Sequence, residues 1–285
     1  MRVLSLFDGM SCGRIALDRV GINVTSYHAS ELDKYAIQVT QANWPETVQL
    51  GDVTQWREWD IDWKGIDLLI GGSPCQGFSF AGKQLAFDDP RSKLFFVYVD
   101  ILKHIKTLNP TVKFMLENVK MKKEYLAVIS DQLGVEHVFI NSLDKSPCAR
   151  PRYYWANWAV GPVNNESGNF YVNALKNDLI VMSQGWNKWW IKNKEFQLKK
   201  GYSKIVSAEE KGITMTARQY ASWNGNFVNI NGVICKPGKK SLANLAGAPL
   251  SYFDCVSQRQ AELMTGNGWT VDVIVHIFNA MDKAL

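Results

Sequence analysis

The stretch Gly71-Gly72-Ser73-Pro74-Cys75-Gln76-Gly77-Phe78-Ser79 decides the fold predicted for the whole chain. It follows residues 66–70, Ile-Asp-Leu-Leu-Ile, an apolar run that predicts a buried strand. The glycines and the proline place Cys75 on a rigid turn at the carboxyl end of a sheet, where open α/β sheets bind ligands. Residues 77–82 have the composition of a loop that closes over a substrate. A buried structural cysteine is the alternative, because free cysteines are among the most buried residues.

Short apolar runs alternate with helical patterns on both sides of this stretch. The strands are predicted at 2–7, 24–30, 48–50, 112–119, 138–140 and 153–155. The helices are predicted at 14–20, 33–43, 93–108, 122–133, 257–264 and 272–283. This alternation is typical of βαβ units, so the predicted fold class is α/β with a mostly parallel sheet.

A glycine turn after the first strand indicates a cofactor site. Asp8-Gly9 and Gly13 let the backbone approach a ligand, and the following helix begins with a partial positive charge. Glu31 and Asp52 end the next two predicted strands, where a carboxylate accepts hydrogen bonds from a nucleotide-like ribose. The spacing differs from G-x-G-x-x-G, which argues against a dinucleotide-dependent dehydrogenase.

The composition restricts the class of protein. A chain of 285 residues with 46% hydrophobic residues forms one large domain, or a domain with a smaller lobe. It has no apolar run near the roughly 20 residues that span a bilayer, and its first residues do not resemble a signal peptide. Five cysteines without C-x-x-C spacing predict reduced thiols, no metal site and a cytoplasmic protein without a membrane partner.

The positive charge is concentrated in residues 160–256. This segment has 12 Lys and Arg against 6 Asp and Glu, a net +6, whereas the whole chain has +5. Residues 186–194 interleave tryptophans with lysines, a pattern that binds phosphates and stacks on bases. The alternative is a solvated face with the tryptophans turned inward. Residues 213–226 add Arg218 with Gln and Asn side chains, which read base edges in the major groove.

Two later stretches, taken with the Pro-Cys turn, resemble a known family. They are Phe114-Met115-Leu116-Glu117-Asn118-Val119 and Cys148-Ala149-Arg150-Pro151-Arg152-Tyr153-Tyr154-Trp155. The order G-S-P-C-Q-G-F-S, E-N-V and R-x-R is similar to that of the DNA (cytosine-5)-methyltransferases, and the likeness covers nearly all of the chain outside its centre. Residues 266–271, Gly-Asn-Gly-Trp-Thr-Val, look most like a bacterial or phage member close to the Dnmt3 catalytic-domain branch.

The resemblance implies a Rossmann-like methyltransferase fold that depends on S-adenosylmethionine, with a smaller target-recognition lobe. The expected parts are a catalytic and cofactor-binding domain at 1–159, a target-recognition domain at 160–256, and a segment at 257–285 that completes the catalytic domain. The expected partner is double-stranded DNA. The expected reaction is methylation of C5 of a flipped-out cytosine, in restriction-modification or phage self-protection.

The resemblance also implies the residues of the cofactor pocket. Glu31 takes the ribose hydroxyls, Asp52 takes the adenine amino group, and the turn at Asp8 lies against the methionine part. The implied pocket consists of Phe7, Asp8, Gly9, Ser11, Gly13, Glu31, Leu32, Asp52, Val53, Pro74, Leu94, Asn267 and Trp269.

The chemistry of cytosine explains the predicted catalytic residues. C5 is a poor nucleophile, and addition of a thiolate to C6 makes it reactive, so Cys75 is the predicted nucleophile. Glu117 is expected to relieve the resulting charge at N3. By resemblance, Asn118 holds the loop, Arg152 contacts the ring carbonyl O2, and Arg150 braces the same site.

The loop after the nucleophile is predicted to contact the base through Gln76, Gly77 and Ser79, and Arg218 is assigned to the substrate as well. The chain departs from the family at Cys148, where many members have Gln in Q-x-R-x-R. Both arginines remain, so activity is expected to survive while the local bracing is in doubt.

Two other functions compete with DNA methylation. A tRNA cytosine-5 methyltransferase shares these motifs, but the Cys-Phe-Thr typical of that branch does not follow Glu117. A scaffold that has lost catalysis is the other candidate, and the retention of Cys75, Glu117 and both arginines argues against it.

Overall fold

The computed structural model describes residues 1–74, 93–164, 168–219, 221 and 224–282. The chain forms two compact units. The first unit contains the described residues of Met1–Ile140, Pro151–Pro162 and Val275–Leu285, and the second contains those of Asn141–Arg150 and Val163–Ile274. Residues 141–150 and 257–274, which the sequence prediction gave to the catalytic part, thus lie in the second unit. The functions predicted for the three segments stay predictions.

A seven-stranded, mostly parallel sheet forms the first unit. Its strands are β1 (Arg2–Leu6), β2 (Ser26–Ser30), β3 (Val48–Gln49), β4 (Leu68–Gly71), β5 (Lys113–Val119), β6 (His137–Asn141) and β7 (Pro151–Ala156). Their order is β3-β2-β1-β4-β5-β7-β6, and β7 runs antiparallel to β5. Strand β1 pairs in parallel with both β2 and β4. The strand order therefore reverses at β1, which makes a ligand crevice at the carboxyl ends of these strands.

The helices of the first unit follow the predicted pattern. They are α1 (Cys12–Arg19), α2 (Lys34–Asn43), α3 (Lys93–Leu108) and α4 (Lys123–Leu133). Helix α8 (Val271–Asp282) ends the described chain and belongs to this unit from Val275 onward. Helix α3 has the predicted bounds, because its apolar residues recur at helical spacing and Pro110 prevents its continuation. The side chains of Tyr98, Leu102 and Ile105 are buried in one core with β1, β4 and β5.

The second unit contains a four-stranded sheet that the sequence did not predict. Its elements are β8 (Ile180–Val181), α5 (Gln184–Lys200), β9 (Ser203–Ile205), β10 (Gly225–Ile230), β11 (Val233–Lys236), α6 (Lys239–Ala246) and α7 (Gln258–Asn267), and the strand order is β8-β11-β10-β9. Strands β10 and β11 form a hairpin whose turn residues, Asn231 and Gly232, both have positive φ. An Asn-Gly turn of this kind matches the twist of the two strands.

The fold class and the mostly parallel sheet are confirmed. The lobe is more regular than its weak periodicity indicated, because α5 buries two of its tryptophans and exposes lysines on the other side. No helix in the described part of the chain is long and apolar enough to cross a bilayer.

Candidate active site

The turn between β1 and α1 has an unusual backbone. Phe7, Gly9 and Ser11 all have φ between 56° and 57°, in the left-handed region that side chains rarely adopt. Ser11 precedes α1, and Gly13 lies buried in the first turn of that helix. Such strain persists only where neighbouring groups fix it, and it is common where backbone approaches a ligand.

The carboxylate of Asp8 fixes this turn. It accepts hydrogen bonds from the hydroxyls of Ser5 (2.5 Å), Ser11 and Tyr27 (2.7 Å), and the Ser11 hydroxyl also contacts that of Thr40 at 2.7 Å. Burial raises the pKa of Asp8 from 3.8 to about 6, although the three hydrogen bonds oppose this shift. The side chain of Ser11 is thus committed to the turn itself.

Glu31 continues the site at the end of β2. Its Oε2 accepts the N–H of Gly9 at 2.7 Å, and its Oε1 accepts those of Leu32 (2.7 Å) and Asp33 (2.8 Å). A carboxylate has about four acceptor positions, so about one remains for a ligand. The side chain of Leu32 is 70% exposed.

Asp52 provides a second carboxylate after β3. Its Oδ1 accepts from the N–H and the hydroxyl of Thr54 at 2.8 and 2.9 Å, and its Oδ2 has no partner among the described residues. Because Ala29 of β2 pairs with Gln49 of β3, Asp52 and Glu31 follow neighbouring strand ends. The apolar side chains of Phe7, Val53 and Leu94 belong to the core beside this edge.

The ends of β4 and β5 are tied together by Asn118. Its Nδ2 donates to the hydroxyl of Ser73 at 3.1 Å and lies 3.5 Å from the Ser73 carbonyl oxygen, while its Oδ1 accepts the N–H of Val119. Asn118 and Ser73 are both buried. The main chain one residue before Pro74 is therefore held against the end of β5.

Glu117 and Arg152 form an ion pair across β5 and β7. The Arg152 Nε lies 2.8 Å from the Glu117 Oε1, and both side chains are largely buried. The Nε–H is not aligned for a hydrogen bond with that oxygen, so the contact is mainly electrostatic. The Arg152 Nη1 donates to the carbonyl of Pro151 at 2.8 Å. The pair places a carboxyl group and a planar donor side by side in the first unit.

Arg150 lies in the second unit, although it is only two residues from Arg152. Its Nη1 donates to the carbonyls of Gly266 (3.1 Å) and Met215 (3.3 Å), and its Nη2 to that of Asn267 (3.1 Å). Gly266 and Asn267 end α7, where a cation is favoured by the helix dipole. These bonds hold main-chain segments of the second unit together. The role predicted for Arg150, bracing of the base, stays a prediction.

A small pocket of the second unit contains Cys148, Arg150 and Trp269. Burial raises the pKa of the Cys148 thiol to about 12, so this cysteine is an inert packing residue. Trp269 is half-buried, and Asn267 is exposed.

The polar side chains of residues 213–226 differ in their exposure to solvent. Arg218 is exposed. Gln219 is buried and donates to the Glu262 carbonyl and the Thr265 hydroxyl, and Asn226 is buried and bonded to the main chain of Ile213. The polar groups of Gln219 and Asn226 are therefore used inside the unit.

Four predicted site residues lie outside the described residues, namely Cys75, Gln76, Gly77 and Ser79. Conversely, the sequence analysis missed Ser5, Tyr27 and Thr40 around Asp8, and Ser73 beside Asn118. A serine between Leu4 and Leu6 of β1 was the one available signal. No group of three His, Cys, Asp or Glu in the described ranges is arranged to hold a metal ion.

The comparisons with known proteins agree with this geometry. A family model for "C-5 cytosine-specific DNA methylase" matches residues 1–133. The type II methyltransferase M.NgoBI of Neisseria gonorrhoeae is 31% identical over 298 residues, which cover 96% of this chain and 90% of that protein. The chain belongs to the C-5 cytosine-specific DNA methylases. It is an S-adenosylmethionine-dependent enzyme that methylates C5 of cytosine in DNA, as the resemblance predicted.

Two further matches extend the comparison. The type II methyltransferase M1.ScrFI of Lactococcus lactis subsp. cremoris is 29% identical, over 100% of this chain and 78% of that protein. The solved structure of the Entamoeba histolytica methyltransferase EhMeth has a TM-score of 0.77 and 18% identity, over 100% of this chain and 98% of that one. The second match shows the fold alone. Closeness to the Dnmt3 branch stays a prediction.

The residues at the β1–β3 edge fit S-adenosylmethionine by the chemistry of their donors and acceptors. One carboxylate oxygen of Asp52 has no partner among the described residues, and Glu31 has spare acceptor capacity, which suit an amino group and a ribose hydroxyl. The acidic turn at Asp8 suits the cationic methionine part, and the core edge at Phe7 and Leu94 offers apolar surface.

Proposed function

We propose that this DNA cytosine-5 methyltransferase uses Cys75 as its nucleophile and holds the flipped-out cytosine with Glu117 and Arg152. The bonds of Asn118 to Ser73 carry this proposal. They fix the chain two residues before Cys75 to the residue that follows Glu117. Strand β4, which leads towards Cys75, pairs in parallel with β5, which carries Glu117, as a single reaction centre requires.

The reaction on the ring needs one covalent bond to form and break. The Cys75 thiolate adds to C6, while the carboxyl of Glu117, in its protonated form, donates its proton to N3, so that electron density moves to C5. S-adenosylmethionine, when bound, supplies an electrophilic methyl group for C5. The C5 proton is then lost to water, the proton on N3 returns to Glu117, and the thiolate leaves C6, which restores the aromatic ring.

The ion pair of Glu117 with Arg152 supports the proposed division of roles. Arg152 offers planar donors for the ring carbonyl O2, and it lies against the carboxyl group that we propose to meet N3. Because both side chains are largely buried, these contacts act in a medium where electrostatic interactions are stronger than in water.

The cofactor is proposed to lie at the ends of β1, β2 and β3. Asp8 keeps the turn in its left-handed conformation and faces the methionine part, Glu31 accepts from the ribose, and Asp52 accepts from the adenine amino group. No metal takes part. In the cell, we propose a role in restriction-modification or phage self-protection, which the type II names of M.NgoBI and M1.ScrFI support.

Trapping of the covalent adduct tests the nucleophile. A duplex that carries 5-fluorocytosine at the target has no C5 proton to lose, so the thiolate cannot leave and the adduct survives denaturation. We expect a DNA-linked band that requires S-adenosylmethionine, that disappears in Cys75→Ser and that persists in Cys255→Ser. Cys255 is an exposed cysteine of the second unit and serves as the matched control.

The substrate class is tested by transfer of labelled methyl groups to duplex DNA and to tRNA in separate reactions. We expect label in DNA that depends on Cys75, and bisulfite sequencing then gives the methylated sequence. Label in tRNA alone would transfer the assignment to the RNA-modifying alternative. A trapped adduct in Cys75→Ser would contradict the proposed nucleophile.

A further inference from the structure

Helix α5 has an inner face that is fixed to the sheet of the second unit. Trp186 and Trp190 are buried and stack on each other, with ring centroids 5.5 Å apart and planes 5° apart. Trp186 also packs on Phe227 of β10 at 4.6 Å. The tryptophans therefore serve the core of the unit, and they are not available to stack on bases.

The outer face of α5 presents a row of three lysines. Lys188, Lys192 and Lys199 are exposed, and their spacing of four and seven residues places them on one side of the helix. The row is about 16 Å long at 1.5 Å per residue. Because the inner face is anchored by stacked rings, the row is carried on a rigid element.

The charge of this row is balanced only in part, by Glu195 on the same side of the helix. Helix α5 contains five lysines and one glutamate, a net +4 in a chain whose total is +5. The ion pairs of lysines in this unit involve Lys204 and Lys236, and none of the three row lysines pairs with a carboxylate within the described ranges. Lys188 and Lys192 are also like charges four residues apart, which weakens a helix.

Apolar side chains flank the row and are left uncovered. Ile191 is 69% exposed and Phe196 is 56% exposed, so the fold does not use this face for its own core. A face that combines unpaired cations with exposed apolar groups matches the surface of a nucleic-acid strand, where sugars separate the phosphates.

We propose that this lysine row binds the phosphate backbone of duplex DNA beside the methylated sequence. The proposal rests on the function proposed above, since duplex DNA is the substrate. A row of about 16 Å is long enough for each of its three lysines to reach a separate phosphate of the backbone. Such contacts hold the enzyme on any sequence and contribute nothing to the choice of site.

The salt dependence of binding tests the row. Each phosphate contact contributes about 0.9 to the slope of log affinity against log salt, so K188Q/K192Q/K199Q should lower the magnitude of the slope by about 2.7. Between 50 and 200 mM salt this corresponds to about a 40-fold smaller loss of affinity than in the wild type. Fluorescence anisotropy with duplexes that contain or lack the target should show the same change for both.

Two variants make the test specific. K64Q/K103Q/K106Q removes three exposed lysines from the first unit and should keep the wild-type slope. Glu195 lies between Lys192 and Lys199 on α5, and E195K should add about 0.9 to the slope, a gain that misfolding does not produce. Circular dichroism confirms that each variant is folded before binding is measured.

The outcomes separate this inference from the proposed function. The proposed role of the lysine row would be overturned if K188Q/K192Q/K199Q left the slope unchanged. It would also be overturned if the control K64Q/K103Q/K106Q changed the slope by the same amount, even if methylation is intact. An effect on tRNA binding without one on duplex binding would do the same. Absence of methyl transfer by the wild type on saturating DNA would instead count against the proposed function, whatever the slopes.

Discussion

Replacement of Asp8 by Asn tests how the cofactor turn is held. Burial raises the pKa of this carboxyl from 3.8 to about 6. Between these two values the folded protein binds more protons than the unfolded chain. The stabilisation from this carboxyl is therefore complete below about pH 4, and it is lost as the pH rises through about 6.

The magnitude follows from the difference of about two pKa units. At 1.36 kcal/mol per unit, the full loss is about 3 kcal/mol, of which about 1.4 kcal/mol falls between pH 5 and pH 7.5. The amide side chain of the Asp8→Asn variant does not titrate over this range of pH. The free energy of unfolding of the variant, minus that of the wild type, should therefore increase by about 1.4 kcal/mol over this interval.

Urea denaturation at pH 5, 6 and 7.5 measures this difference. The three hydrogen bonds to Asp8 are already included in its pKa, and an amide does not titrate, so any difference in how it bonds adds an offset that does not vary with pH. The dependence on pH therefore carries the test. Asp60→Asn, on the exposed surface, makes the same chemical change away from the turn and is the matched control. Parallel pH profiles for Asp8→Asn and the wild type would refute the reasoning.

A second readout links the same titration to function. The ionised carboxylate favours the cationic methionine part of S-adenosylmethionine, and its protonation removes that attraction. The KM for the cofactor should therefore rise in the wild type as the pH falls from 7.5 to 5.5, and it should be nearly constant in Asp8→Asn. A constant KM in the wild type would separate Asp8 from cofactor binding.

Three further substitutions test the packing and the reaction centre. Gly266→Ala should destabilise the protein by about 1–3 kcal/mol in a thermal melt, because the new Cβ would lie 2.1–2.3 Å from main-chain atoms at Thr216 and its neighbour. Arg152→Lys keeps the charge beside Glu117 but loses the planar fork, so kcat/KM should fall by about tenfold or more with little change in Tm. Asn118→Ala should cost about 1–3 kcal/mol in urea denaturation and lower kcat, since a buried hydroxyl loses its partner.

Local patterns predicted the elements that carry the site. The bounds of α3 follow from apolar spacing and a proline stop, and β4 from a run of apolar residues before two glycines. Glu31 and Asp52 were recognised because acids that follow predicted parallel strands meet at one edge. These features depend on neighbours in sequence, which is why they were accessible without a structure.

Contacts between distant residues were not accessible in the same way. Tyr27 donates to the Asp8 carboxylate from 19 residues away, and Thr40 in α2 contacts the hydroxyl of Ser11 in the same turn. No periodicity in the sequence predicts such hydrogen bonds. The alternation of Trp and Lys in α5 fitted both a base-stacking surface and an inward-facing pair. The structure decides for the inward pair, because Trp186 and Trp190 are four residues apart on the side that meets Phe227.

The R-x-R motif shows most clearly how one pattern contains two physical roles. Sequence spacing treats Arg150 and Arg152 as a pair, but only Arg152 lies in β7, where its side chain meets Glu117 on the adjacent strand. Arg150 precedes that strand and donates to three main-chain carbonyls of the second unit, two of them at the end of α7. Loss of Arg150 would remove a donor from those three carbonyls, whereas loss of Arg152 would remove the cation beside the largely buried Glu117. The motif therefore combines an arginine that stabilises the second unit with one that serves the reaction centre of the first.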